Sequence, residues 1–394
     1  MKNIYSGVEK SIKDLQNIFK NTDDKDEKLK RFNQEALEVF QKLESKSLKE
    51  LESLKNNEEW EKFTIAFYGE TGAGKSTLIE CLRLFFKEPS KMDQQERFKR
   101  LYSNYQNNYQ NDERKKQNIL NELHSLQDGA TIGDGRSDFT LKTRSYSFRY
   151  NHQNFILLDV PGIEGDEQKV IDQISNATQK AHAIFYVTKT PNPPQKGEER
   201  KEGTIEKIQR QLGSQTEVWT IFNKPINSQR ALKDGLIDEN EKESLKILNE
   251  KMKAILGKHY EGHQIVSAQA AFYGLSSALL PETDFYKNKQ KFLAIFKVEE
   301  LLLKSHFKQL GKFIAGTLLE NSRKKIIESN CNKALKVIEK LQKAIVTTID
   351  REIDPTIKEI RDKLPETYSN LDRSRDKFVS NLNNSVSKET AIQN

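Results

Sequence analysis

Eight consecutive residues, Gly69-Glu70-Thr71-Gly72-Ala73-Gly74-Lys75-Ser76, fit the pattern G-x-x-x-x-G-K-[ST] without a mismatch. The glycines let the backbone wrap an anion closely, so that successive N–H groups point at it, and a following helix adds the positive end of its dipole. Lys75 is the side chain in this run that can reach the β- and γ-phosphates, and the Ser76 hydroxyl suits Mg²⁺. The spacing therefore predicts a nucleoside triphosphate held by Gly69, Glu70, Thr71, Gly72, Ala73, Gly74, Lys75, Ser76 and Thr77. The context agrees. The apolar run Phe63–Tyr68 reads as a buried strand before the loop, and Leu78, Ile79, Leu82 and Leu84 give a helical pattern after it.

Three further stretches follow in an order that narrows the chemistry. Phe155–Leu158 is an apolar strand running into Asp159-Val160-Pro161-Gly162, a D-x-x-G. Asp159 is expected in the Mg²⁺ shell, and the Gly162 N–H is expected to sense the γ-phosphate. The hairpin before it puts Thr143 at the head of a strand, and Thr143 is the candidate switch threonine closing on Mg²⁺ and γ-phosphate. Thr140 and Thr131 are the alternatives on the same loop. Strand Glu217–Phe222 then runs into Asn223-Lys224, and Gln264–Val266 into Ser267-Ala268, the places where a guanine base is read in GTPases. All four stretches sit at the C-terminal ends of expected strands, where α/β sheets bind ligands.

These residues resemble a dynamin-family GTPase over about residues 61–280. The match is carried by Gly69–Glu80, Thr143-Arg144 and Asp159–Ile163. More narrowly, Gly133–Thr140 with Leu158–Gly165 resembles the bacterial LeoA type. The resemblance implies GTP and Mg²⁺ as cofactors, with Ser76, Thr143 and Asp159 as metal ligands. It implies a nucleotide cycle coupled to self-assembly or membrane remodelling, a homo-oligomer or related dynamin-like partner, a link to toxin or vesicle export, and both chain ends building a stalk. Two departures stand out. Ile226 occupies the place of the aspartate in N/T-K-x-D, and the C-terminal part is short for a dynamin stalk, with no hydrophobic paddle. Ile163 stands where Ras-like enzymes carry a water-positioning glutamine, so Thr71 or Thr143 is expected to orient water beside Lys75. Arg136 or Arg144 is either an internal arginine finger or a solvated loop arginine.

The elements that must position these residues read as follows. Residues 1–60 are helical, with a break at Asn21–Asp24. Residues 61–282 alternate strands and helices, a P-loop GTPase domain of the α/β class with a mostly parallel sheet and helices on both faces. Residues 283–394 are helical again, the two flanks forming a bundle or stalk. An insertion at about 87–128 carries Phe98, Tyr102, Tyr105 and Tyr109 at helical spacing, either packed on the domain or offered to a partner. Ile327, Cys331, Ala334, Ile338, Leu341 and Ile345 form a short heptad seam, and Pro355 should end that helix.

Composition sets the remaining bounds. The 394 residues carry 65 Lys and Arg against 58 Asp and Glu, a net +7 too dilute to indicate nucleic acid. Residues 297–350 hold eleven basic against six acidic side chains, either a solvated face or a peripheral surface for anionic membrane. Two distant cysteines argue against a disulfide framework, and no apolar run is long enough to span a membrane, so a cytoplasmic protein is expected. Two rival readings remain: a nucleotide-gated scaffold with little hydrolysis, and a transporter-type ATPase, whose L-S-G-G-Q sequence is missing.

Overall fold

The computed structural model describes residues 2–20, 27–56, 61–108, 113–132, 143–162, 168–197, 203–212, 217–226, 228–348, 350, 372–381 and 383–384. The chain divides into two compact units, one of residues 1–58 with 328–394 and one of residues 59–327. The first holds helices α1 (Lys2–Lys20) and α2 (Glu27–Asn56), which pack on each other. Ile12, Ala36 and Phe40 are buried there. The expected break at Asn21–Asp24 lies outside the described residues.

The second unit is built on one six-stranded sheet of order β2-β3-β1-β4-β5-β6. Strand β1 (Phe63–Gly69) is buried along its whole length, which is why its sequence is a continuous apolar run rather than an alternation. The phosphate loop follows it and leads into α3 (Lys75–Phe85). The insertion forms α4 (Pro89–Asn108) and α5 (Glu113–Leu126). Proline fits the first turn of α4 because no N–H is needed there. The Glu88 carboxylate accepts from Lys91 N at 2.9 Å and caps the turn.

Strands β2 (Arg144–Tyr150) and β3 (Gln153–Asp159) form an antiparallel hairpin. Its two turn residues, Asn151 and His152, have φ of 47° and 64°, the left-handed values of a tight hairpin turn. Helix α6 (Gln168–Lys180) returns the chain to β4 (Ala183–Thr188), which pairs parallel with β1. Next come α7 (Thr204–Leu212), β5 (Val218–Asn223), α8 (Glu239–Leu256), β6 (Tyr260–Val266) and α9 (Ala268–Leu275). With β1, β3, β4, β5 and β6 parallel and only β2 antiparallel, this is the α/β sheet that the strand–helix alternation calls for.

The strand–helix alternation ends near residue 282, and the packed unit that contains the sheet runs from Glu59 to Ile327. Helices α10 (Asp284–Leu293), α11 (Val298–Lys304) and α12 (Phe307–Phe313) bring Phe292, Phe296, Leu301, Phe307 and Leu310 into the same apolar core as β1 and α3. Ser267 N also donates to Ser305 O at 2.9 Å, so α11 holds the start of α9. Helix α13 (Ser322–Thr348) carries the heptad seam. Cys331, Ala334, Ile338, Leu341 and Ile345 are buried and Ile327 is half-buried. Pro355 lies outside the described residues. No described helix is long and apolar enough to cross a membrane.

In the insertion, Phe98, Tyr102 and Tyr105 stack in sequence along α4. Phe98 is buried against Leu123, Ala278 and Leu280, with Tyr102 and Tyr105 packed beside it. The stripe therefore faces its own unit, the plainer of the two readings of its spacing. Tyr109 lies outside the described residues.

Candidate nucleotide site

Register explains why the site assembles. Gly69 pairs with Val187 and Phe67 with Asp159, so the phosphate loop, the D-x-x-G and the turn after β4 emerge side by side at the C-terminal ends of the parallel strands. Lys75 is buried, and its Nζ donates to the carbonyls of Gly69 and Glu70 at 2.9 and 2.8 Å. The ammonium is thus held inside the loop it must serve. Gly74 sits at φ +81°, and a Cβ there would lie 2.3 Å from Asn223 Nδ2. A Cβ at Gly162 would lie 2.2 Å from Thr71 Oγ1, so the D-x-x-G glycine rests directly on the phosphate loop.

The residues expected around Mg²⁺ suit it. Ser76 donates a hydrogen bond to Asp159, and burial raises the Asp159 pKa against the opposing effects of that bond, Lys75 and Arg144. Among the described residues, Asp159 Oδ1 and Thr143 Oγ1 are buried without a hydrogen-bond partner. Leaving such atoms unpaired is costly unless something is meant to occupy them. Arg144 pairs with Asp159 across the hairpin, which puts Thr143 next to the same strand end, its N–H donating to Gln173 Oε1 at 3.0 Å. Ser76, Asp159 and Thr143 would hold the ion, and the ion would supply charge neutralisation for a phosphate oxygen. Thr131 is committed elsewhere, its hydroxyl donating to Glu80 at 3.4 Å. Thr140, Arg136 and Ile163 lie outside the described residues.

At the base end, Asn223 acts as a clamp. Its Nδ2 donates to Ala73 O and its Oδ1 accepts from Ala268 N, both at 2.9 Å, tying the phosphate loop to the start of α9. The Ala268 N–H is therefore used internally, and the buried Ser267 caps α9 by accepting from Ala270 N. What this loop turns toward the open side is Gln269. Lys224 pairs with Glu241 at 2.6 Å, and Glu241 belongs to the capping box of α8.

Ile226, expected at the position of the base-reading aspartate, is only 1% exposed and belongs to the apolar core. Its N–H donates to Gln269 Oε1 at 3.3 Å. The side chain at that position packs into the apolar core. A cavity of about 810 Å³ runs from Gly72, Gly74 and Thr77 past Asn223, Lys224 and Gln269. It is also lined by His124 and Gln127 of the insertion and by Glu282–Phe285, none of which the sequence marks as site residues. No local pattern marks them, because they reach the cavity only through the packing of α5 and α10. A second, shallower depression, lined by Glu38 and Lys42 of α2, holds none of the residues discussed.

Sheet order, phosphate loop and D-x-x-G together give the α/β fold of a P-loop GTPase domain. The family described as 50S ribosome-binding GTPase matches residues 116–224, well under half of the chain and beginning after the phosphate loop. The S. cerevisiae Ski7 GTPase-like domain bound to GTP is similar at 17% identity and a TM-score of 0.34, over 61% of this chain and 50% of that one. The same domain bound to GDP and inorganic phosphate aligns at 16% and 0.34, over 59% and 49%. The chain thus spans about half the length of the solved structures it matches. No curated protein matches it.

Proposed function

We propose that this protein binds and hydrolyses GTP with Mg²⁺, using Lys75, Ser76, Thr143 and Asp159 on the phosphates and ion. The observation that carries the reading is the clamp through Asn223, which joins the phosphate loop to the Ser267-Ala268 loop by two 2.9 Å hydrogen bonds. Lys75 stabilises charge on the transferred phosphoryl group, and Thr71, against Gly162, orients the attacking water with Thr143. Guanine preference is favoured by acceptors on the cavity lining, the carboxylates of Glu282 and Asp284, which can receive the N–H edge of guanine in place of the absent aspartate.

The finer proposal is that nucleotide state drives self-assembly or membrane remodelling in the manner of dynamins, with another copy or a related chain as partner and an anionic membrane as a peripheral surface. It is supported by the joining of the two chain ends into one helical unit separate from the GTPase unit. The test is turnover by the purified protein, GTP beside ATP, with and without anionic liposomes. GTP turnover above ATP turnover, raised by liposomes, is expected. Equal use of both nucleotides removes the guanine preference, and binding without turnover turns the protein into a nucleotide-gated scaffold.

A further inference from the structure

Strand β4 is buried throughout and ends beside the phosphate loop, Val187 opposite Gly69. Two residues beyond that pairing stands Lys189. Its backbone is fixed by a tight local turn: Thr188 Oγ1 donates to Thr190 O at 3.0 Å and accepts from Thr190 N at 3.2 Å. Thr188 is itself buried, so the turn is anchored in the sheet. From this anchor the Lys189 side chain reaches over the loop, with its Nζ 4.0 Å from where a Cβ on Gly72 would be. Gly72 has no side chain and a φ of +72°, which leaves that face of the loop open.

Lys189 also differs from the other lysines of the site in its partners. Lys75 is bonded to two loop carbonyls and Lys224 to Glu241, whereas Lys189 has no hydrogen-bond or ion-pair partner among the described residues. Its side chain lines the cavity that starts at Gly72 and Gly74. Lys189 is exposed, and an exposed cation beside an anion-binding loop with no carboxylate paired to it raises the local positive potential, which favours a polyphosphate.

We propose that Lys189 is a second phosphate-contacting cation, closing on the outer face of the phosphate loop while Lys75 acts from within. This rests on the reading of the loop as a GTP site. Lys189 then supplies from the same chain a positive charge beyond Lys75 and Mg²⁺, which phosphoryl transfer uses to stabilise spreading negative charge.

Displacement of a fluorescent guanine nucleotide from the full-length protein tests it, with GTP, GDP and guanosine as competitors. Lys189→Met should weaken GTP by roughly tenfold, the size of one charge-assisted hydrogen bond, and leave guanosine unchanged. Lys189→Arg should restore most of the loss. An equal loss for GDP places the contact on the β-phosphate, and a loss for GTP alone places it on the γ-phosphate. Unchanged GTP affinity in Lys189→Met, while Lys75→Met loses binding in the same assay, overturns the inference and leaves the site standing. An equal loss for guanosine also overturns it, since the residue would then act on the base. If Lys75→Met binds GTP like the wild type, the reading of the site fails, and the inference with it.

Discussion

At the scale of the residue, each side chain of the site does one thing that its surroundings dictate. Lys75 is buried, and its ammonium donates to the Gly69 and Glu70 carbonyls, which holds it inside the loop where a phosphate would sit. Lys75→Ala should lower GTP affinity by about a hundredfold or more, read by nucleotide titration, while thermal stability changes little. Thr143 presents a buried hydroxyl that has no hydrogen-bond partner among the described residues, beside the Asp159 strand end. Thr143→Ala should keep GTP binding within a few-fold but slow single-turnover hydrolysis by roughly tenfold to a hundredfold, since the hydroxyl is needed only with γ-phosphate and Mg²⁺ in place. Wild-type turnover in that variant would move the role to Thr140. Ile226 marks the sharpest contrast with the motif. Its side chain is sealed in the core, so Ile226→Asp would bury a carboxylate without a partner. The expected result is a loss on the order of 4 kcal/mol in urea unfolding with no gain in GTP affinity.

At the scale of the element, α3 is the part that everything else consults. Its N-terminus is the phosphate site, and its middle carries Glu80, around which a buried ionic cluster is built. Glu80 accepts from Arg83 and Gly129 N at 3.0 Å and pairs with Lys91 at 2.5 Å. Lys91 also pairs with Asp128 at 3.0 Å, and Asp128 accepts from Ser277 N and Ala278 N at 2.7 and 2.9 Å. Arg83 in turn pairs with Glu88 and lies over the Tyr146 ring at 4.3 Å. The cluster therefore docks the insertion onto α3, the segment after α9 and the hairpin strand at once. Lys91→Met should cost about 3–5 kcal/mol, because Asp128 would lose its paired cation in a buried site and Glu80 would keep Arg83 alone. Chemical denaturation of the full-length variant measures it, and a loss below 1 kcal/mol would show that water reaches the cluster.

At the scale of the molecule, the decisive fact is where the GTPase unit stops. Truncation near residue 297 would remove Leu301, Phe307 and Leu310 from the core and the Ser305 carbonyl from Ser267. Residues 59–327 should fold alone, unfold cooperatively and keep the nucleotide affinity of the full chain, whereas residues 59–297 should not fold. Circular dichroism melts with nucleotide titration distinguish the two. The proposed self-assembly belongs to the other unit, so residues 59–327 should remain monomeric by sedimentation in the presence of a non-hydrolysable GTP analogue.

Much of this protein was legible in the chain because it is local. The phosphate loop is eight consecutive residues, and β1 and β3 are apolar runs that only a sheet covered on both faces accommodates. The Asn151-His152 hairpin is a contact between neighbours in sequence, and the heptad seam on α13 is a periodicity. What stayed hidden depends on partners far along the chain. Asn223 is 150 residues from Ala73, Asp128 is as far from Ala278, and Ile226 looks like a vacant ligand position until the core closes over it. Lys189 is one lysine among many until β4 sets it beside Gly72. The end of the strand pattern says that helices follow residue 282, but not that three of them complete the sheet's core, because which apolar face covers which is settled by packing alone.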